Sequence, residues 1–183
     1  DSEDASPGLA RAISKVLEFG TELYVPRGTY RLTDTASINL TGSEFHGFGM
    51  RGIGLGSRFI WAGGSNKPMF RIAGKSGAGW YSKIAISRLH LIGNSFEGDE
   101  YRGVDGIVIG DAANAMAGIC NLMLEGTTIR RVANGIRGHY ESDEITVFDC
   151  YIERFTDHGI FNDAGGSNWT MLSNHISDGA TRS

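Results

Sequence analysis

The sequence predicts an all-β fold, a parallel β-helix with about 23 residues in each coil, preceded by one α-helix. Three observations lead to this prediction. Apolar residues recur at a fixed spacing, glycine is about twice as frequent as its usual share of roughly 7%, and helical periodicity is confined to the start of the chain. The 183 residues include 27 glycines and 3 prolines, which favours many turns between short strands over a disordered chain.

The predicted helix occupies the N-terminal part of the sequence. Ser6 suits the N-cap, Pro7 suits the first helical position, and Gly20 suits the exit. The apolar positions between them form a single stripe, and they are Leu9, Ile13, Val16 and Leu17. The following segment, residues 23–32, alternates as two strands around a turn at residues 25–28. Beyond it we expect no second helix of useful length.

The repeat consists of apolar triplets. The second residue of a triplet is two positions after the first, and the third residue is five positions after the second. The copies are Ile84, Ile86, Leu91; Leu122, Leu124, Ile129; Ile145, Val147, Ile152; and Trp169, Met171, Ile176. The last three copies are offset by 23 and 24 residues. Each triplet spans two strands, and a further apolar strand follows each of the first three triplets. We therefore predict three short strands in each coil. The glycines before these strands should form a column where the backbone needs a positive φ or a close approach; they are Gly106, Gly135 and Gly159.

The predicted domain organisation is a helix over residues 1–20 and one domain of stacked coils over residues 21–183. The next strand of the repeat is due near residue 184, one position after Ser183. We therefore expect further coils beyond this point, and these coils could contain part or all of an active site.

Composition and motifs exclude several classes of function. The net charge of −4 and 21% charged residues predict no nucleic-acid or anionic-membrane partner. Gly47, Gly49 and Gly52 match a dinucleotide-binding pattern, but β-forming residues follow them instead of a helix. We expect no cofactor, and metal dependence stays open because no acidic cluster has clear calcium spacing. We expect the two cysteines, Cys120 and Cys150, to be buried and reduced and not joined in a disulfide.

The N-terminal amphipathic helix and the stretches LYVPRGTYRL, GFGMRGIGLGSRFIW and ITVFDCYIERFTDHGIF resemble the pectate-lyase-like right-handed β-helix superfamily. Within it they look most similar to bacteriophage tailspikes and polysaccharide depolymerases. The resemblance implies a right-handed, single-stranded β-helix whose opening helix caps the first coil. It also implies a homotrimer on the phage tail, outside the cell, with a polysaccharide as ligand and other tail proteins as possible partners. The superfamily contains lyases, hydrolases, epimerases and catalytically silent adhesins, so the reaction stays open.

Two insertions in the repeat indicate where a binding groove should lie. One falls within residues 92–105 and the other within residues 110–120, and both flank the strand at residues 107–109. Long loops on a rigid scaffold usually form recognition surfaces. Outward positions beside them give four candidate catalytic residues, which are Asp105, Asp157, His158 and Asp163. The candidate substrate-binding residues are Asn134, Arg137, His139, Tyr140, Phe161, Tyr101 and Arg102. Val108 and Gly110 should also point outward.

Two chemistries fit these residues. Hydrolysis needs two carboxylates about 5 to 9 Å apart, which Asp105 with Asp157 or Asp163 would supply from neighbouring strands about 4.8 Å apart. Elimination from a uronate needs a base and a cation, which His158 or His139 with Arg137 would supply. The first hypothesis is therefore a phage-tail protein that binds and cleaves a bacterial surface polysaccharide. The alternatives are a non-catalytic structural or adhesion module, and a secreted pectate-lyase-like enzyme.

Overall fold

The structure, a computed structural model, describes most of the chain. The described residues are 3–40, 47–64, 67–74, 83–94, 104–111, 119–139, 142–163, 166 and 168–179. Within them lie one α-helix, one 3-10 turn and fifteen β-strands.

The helix α1 spans Ser6–Phe19, close to the predicted bounds. It ends at Gly20, which adopts φ 62° as a left-handed C-cap. The predicted N-cap is one residue off: Ala5 holds this position, and the Ser6 hydroxyl instead accepts hydrogen bonds from the backbone of Thr33 and Asp34. The apolar stripe of α1 faces the sheets, with Ile13 at 1% exposure. The helix thereby covers strands at one end of the molecule, near residues 22–24, 36–40 and 48–51.

The longest strands lie in the second half of the chain. The first eight are β1 (Glu22–Tyr24), β2 (Gly28–Leu32), β3 (Ala36–Leu40), β4 (Phe48–Arg51), β5 (Ser57–Trp61), β6 (Phe70–Gly74), β7 (Ile84–Ser87) and β8 (His90–Ile92). The other seven are β9 (Ile107–Ile109), β10 (Ile119–Glu125), β11 (Thr128–Gly138), β12 (Ser142–Phe148), β13 (Tyr151–Asn162), β14 (Thr170–Leu172) and β15 (His175–Ser177). The 3-10 turn, Gly54–Gly56, precedes β5.

The strands form two sheets, and every strand pair in the described residues is parallel. The six-stranded sheet has the order β1-β4-β7-β10-β12-β14. The nine-stranded sheet follows β2-β5-β8-β11-β9-β6-β3, with β13 beside β11 and β15 beside β13. Parallel strands need long crossovers, and here each crossover includes at least one strand of the other sheet. The core lies between the sheets and consists mainly of Ile, Leu, Val and Phe.

The predicted pairing of the repeat is confirmed. Leu122 lies opposite Ile84 and Ile145, and Ile129 lies opposite Leu91 and Ile152. All six side chains are at most 2% exposed. Apolar columns of this kind bury one face of the strands at the centre of the repeat, and because a slip of one residue would turn these side chains to solvent, they fix the register.

The predicted fold class, an all-β right-handed single-stranded β-helix, is wrong. The chain forms two parallel sheets with one helix, and the larger sheet doubles back at β11, which borders β8, β9 and β13 and nearly closes the sheet into a barrel. This arrangement suggests an α/β-type parallel-sheet fold rather than a solenoid. The prediction assumed three separate strands in each repeat. In the structure two of them are continuous, because β11 and β13 pass through the glycine column without ending.

The glycine column is confirmed as a place of close approach, whereas positive φ is not what it requires. A Cβ on Gly106 would lie 2.6 Å from the Gly135 carbonyl oxygen, and one on Gly135 would collide with the Gly159 carbonyl. None of the three has a positive φ. Each glycine therefore leaves room for an isoleucine side chain, which is Ile129, Ile152 or Ile176.

As predicted, β-strands and not an α-helix surround the glycines of the dinucleotide-binding pattern. Gly47 precedes β4, Gly49 lies within it, and Gly52 leads into the 3-10 turn before β5, so no helix N-terminus follows. The two cysteines are buried free thiols, as predicted.

Candidate functional site

The side chains of seven predicted site residues meet beside the three neighbouring strands β9, β11 and β13. We call this group the Arg137 cluster; its members are Asp105, Asn134, Arg137, His139, His158, Phe161 and Asp163. Parallel pairing brings them together, because Asn134 lies opposite His158 and Arg137 lies opposite Phe161. Neighbouring strands are about 4.8 Å apart, so outward side chains at paired positions contact each other.

A chain of hydrogen bonds joins Asp105, Asn134 and His158. The Asn134 Nδ2 and backbone N–H donate to Asp105 Oδ1 at 2.8 and 3.1 Å. This orients the amide so that its oxygen faces His158 Nδ1 at 3.1 Å. An amide oxygen only accepts, so Nδ1 of His158 carries the proton and Nε2 is left as the basic nitrogen. His158 is exposed, and its Nε2 is therefore suited to take a proton from a ligand.

Arg137 lies between two carboxylates. Its Nη2 donates to Asp163 Oδ2 at 2.7 Å, and its Nη1 is 3.7 Å from Asp105 Oδ2. The guanidinium carbon is 5.8 Å from the centre of the Phe161 ring, a cation–π distance. A guanidinium has five N–H donors, so donors remain for a further carboxylate from a ligand.

Phe161 packs against two other members of the cluster. Its ring stacks on His158 with centroids 4.5 Å apart and planes inclined by 13°. The same ring contacts Arg137. The ring thereby holds the base candidate and the cation candidate in fixed positions, and its contact with a substrate stays a prediction.

His139 and Asp163 complete the cluster. The Nδ1 of His139 is 3.3 Å from Asp163 Oδ2. Burial, and next the charge of Arg137, lower the pKa of His139, which keeps its imidazole neutral. The hydrogen bond from Arg137 lowers the pKa of Asp163. A group that ionises so readily is poorly suited to act as the protonated acid of a hydrolase.

The remaining predicted residues do not join the cluster in the described part of the chain. Asp157 is exposed on β13 at the register shift between β11 and β13, where β13 carries one extra residue. Val108 lies in the outward row with Arg71 and Arg137, as expected, but it is buried at 7% exposure. Gly110 is also buried. Tyr101, Arg102 and Tyr140 lie outside the described residues, as does most of both predicted insertions.

One ion pair on the same face was not predicted from the sequence. Arg71 on β6 lies opposite Val108, in the row that continues to Arg137, and its guanidinium forms an ion pair with Asp111. The signal was available, because Phe70-Arg71-Ile72 repeats the pattern of residues 107–109. It was missed because the repeat was traced only from Ile84 onward.

Comparison with known proteins gives no relative for this chain: no family profile, no curated protein and no solved structure matches it. The resemblance to the pectate-lyase-like superfamily therefore stays a prediction. In the part of the chain that the structure describes, no helix is long and apolar enough to cross a membrane. Nor do three or more His, Cys, Asp or Glu side chains there converge in a metal-binding arrangement.

Proposed function

We propose that the chain binds an acidic bacterial surface polysaccharide at the Arg137 cluster and cleaves it by elimination. The observation that carries the proposal is the hydrogen-bonded chain from Asp105 through Asn134 to His158. It presents an exposed basic nitrogen on the same face as an arginine, and these are the two groups that elimination from a uronate requires.

Each group has one role in this reaction. Arg137 binds the uronate carboxylate and stabilises the negative charge that develops when the α-proton leaves. His158 Nε2 removes that proton, which is the C5 proton of a 4-linked uronate. The bond from C4 to the glycosidic oxygen then breaks, a C4–C5 double bond forms, and the departing oxygen takes a proton from water. Asn134 and Asp105 position His158, while Asp163 and His139 position Arg137.

Hydrolysis is supported less well by the same contacts. A glycosidase needs one carboxyl group that stays protonated near neutral pH. Asp163 is held as an anion by Arg137. Asp105 is occupied as a hydrogen-bond acceptor for Asn134. The cluster therefore favours elimination over hydrolysis.

The test is to incubate the protein with a panel of bacterial capsular and cell-wall polysaccharides while following new reducing ends and the absorbance of unsaturated uronates. His158→Gln should lower the rate about 10²–10⁴-fold, the usual contribution of a general base. His175→Gln is the matched control, because His175 is an exposed strand histidine outside the cluster, and it should leave the rate unchanged.

Other outcomes are equally informative. Reducing ends without absorbance would show hydrolysis and contradict the assigned chemistry. Binding without either signal would favour the non-catalytic adhesion module. The homotrimer and the phage-tail location are not part of the active-site argument and stay predictions.

A further inference from the structure

A cavity lies away from the Arg137 cluster, on the six-stranded sheet. It has a volume of about 440 Å³ and is open to solvent on one side, which places it within the range of about 300–1,000 Å³ that is typical of ligand sites. Its lining residues come from the ends of β1, β4 and β7; they are Glu22, Tyr24, Arg51, Gly52, Ile53, Gly54 and Arg88.

The cavity carries a net positive charge. Arg51 and Arg88 are both exposed, and among the described residues neither forms an ion pair. The only acidic lining residue is Glu22, whose side chain packs over Gly49. Two arginines against one carboxylate give this cavity an excess of one positive charge.

The turn at residues 52–54 keeps the two arginines close to each other. A Cβ on Gly52 would collide with the carbonyl oxygen of Arg88, so only glycine lets the turn after Arg51 pack against this carbonyl. Gly54 N–H donates to that same carbonyl at 2.6 Å. These contacts fix the backbone after β4 against the backbone after β7.

The backbone of this turn is fully occupied by internal hydrogen bonds. Gly52 N–H donates to the Ser87 carbonyl at 2.9 Å, and Ile53 N–H donates to the Ser57 hydroxyl at 2.9 Å. With Gly54 also engaged, no amide of the turn is left to bind an anion. Recognition of a negative charge here therefore depends on the two guanidinium groups.

An aromatic side chain lies next to the cations. Tyr24 is opposite Arg51 in the parallel pair of β1 and β4, and its side chain is 59% exposed. Ile53, 40% exposed, adds apolar surface. An exposed ring beside a guanidinium fits a ligand that has both a flat apolar face and a carboxylate, and a uronate sugar has both.

We propose that this cavity, the Arg51–Arg88 site, binds a uronate residue through its carboxylate, with the sugar face on Tyr24. The identity of the ligand rests on the proposed function, because an acidic polysaccharide supplies such residues. The site has no base placed like His158 and acts as an anchor for the polymer, separate from the cleavage site.

The test uses chemical shifts of backbone amides in the ¹⁵N-labelled protein, titrated with millimolar galacturonate or glucuronate. The amides of Gly52, Ile53 and Gly54 should shift with both acids and should not shift with galactose or glucose. Arg51→Gln/Arg88→Gln should weaken binding at least about tenfold, because two charged hydrogen bonds are lost. Glu22→Gln should strengthen it, since one repulsive charge is removed.

Arg11→Gln is the matched control; Arg11 is an exposed arginine of α1 that does not line the cavity, and its loss should leave binding unchanged. Unshifted amides, or equal shifts with neutral sugars, would overturn the proposal. Equal shifts with inorganic phosphate that survive Tyr24→Ala would also overturn it, since they would show a plain anion site.

The two proposals fail separately. If uronates shift the amides of the turn while no polysaccharide is cleaved, the anchor stands and the cleavage proposal fails. If cleavage depends on His158 while these amides do not respond, the cleavage proposal stands and the anchor fails.

Discussion

Asp163 is the residue whose ionisation reports most directly on the Arg137 cluster. It lies at the surface, yet a hydrogen bond from Arg137 lowers its pKa below the ordinary 3.8. Arg137→Gln removes both that bond and the positive charge, so the pKa of Asp163 should rise toward 3.8. The measurement is an NMR titration of the side-chain carboxyl carbon, with the exposed Arg154→Gln on β13 as the control.

The same shift has a consequence for acid stability. A carboxyl group with a lowered folded pKa adds stability above its unfolded pKa, and this stability is lost as the pH falls through the folded pKa. The wild type should therefore lose more stability than Arg137→Gln as the pH drops below about 4. An unchanged Asp163 titration in the variant would show that Arg137 does not hold this carboxylate.

Residue-level roles were predicted with uneven success. His158 was named as a candidate from its place before the glycine column, and the structure places it opposite Asn134, within hydrogen-bond distance. The fixed tautomer of its ring depends on the amide orientation of Asn134, and no sequence pattern encodes that. The stacking of Phe161 on His158 was not predicted for a similar reason, since an outward position does not say which neighbour covers a ring.

At the scale of elements, the close packing of β11 and β13 at Gly135 and Gly159 depends on glycine. Gly135→Ala should destabilise the fold by about 1–3 kcal/mol, the usual cost of overpacking, because its Cβ would lie 2.5 Å from Ile152 Cγ2 and would collide with the Gly159 carbonyl. Urea unfolding followed by circular dichroism measures this change.

Gly8→Ala is the matched control for that substitution. A Cβ on Gly8 meets nothing within 4 Å, and alanine is favoured over glycine in a helix by up to about 1 kcal/mol. This variant should be neutral or slightly stabilised. Equal effects of the two substitutions would refute a special role for the column.

The sequence predicted element positions better than element boundaries. The repeat fixed which residues pair, because buried apolar columns tolerate no slip of register. It did not reveal that the strands continue through Gly135 and Gly159, since a glycine before an apolar residue is equally typical of a turn and of a bend inside a strand. The wrong fold class followed from this ambiguity.

At the scale of the whole molecule, α1 covers strand ends on one side, while the nine-stranded sheet displays the Arg137 cluster on its outer face. The pairing of β9, β11 and β13 brings together residues that are up to 58 positions apart, from Asp105 to Asp163. The sequence predicted this grouping through the repeat. Arg71 was not included in this grouping, because the repeat was recognised only from Ile84 onward.

The most direct test of the central claim, that this face binds an acidic polysaccharide, is a crystal structure of His158→Gln with a uronate hexasaccharide. The account predicts a sugar carboxylate hydrogen-bonded to the Arg137 guanidinium, with the α-carbon of that sugar next to the side chain at position 158. An oligosaccharide bound without contact to Arg137 would contradict it. So would a saturating concentration of oligosaccharide that leaves the Arg137 cluster unoccupied.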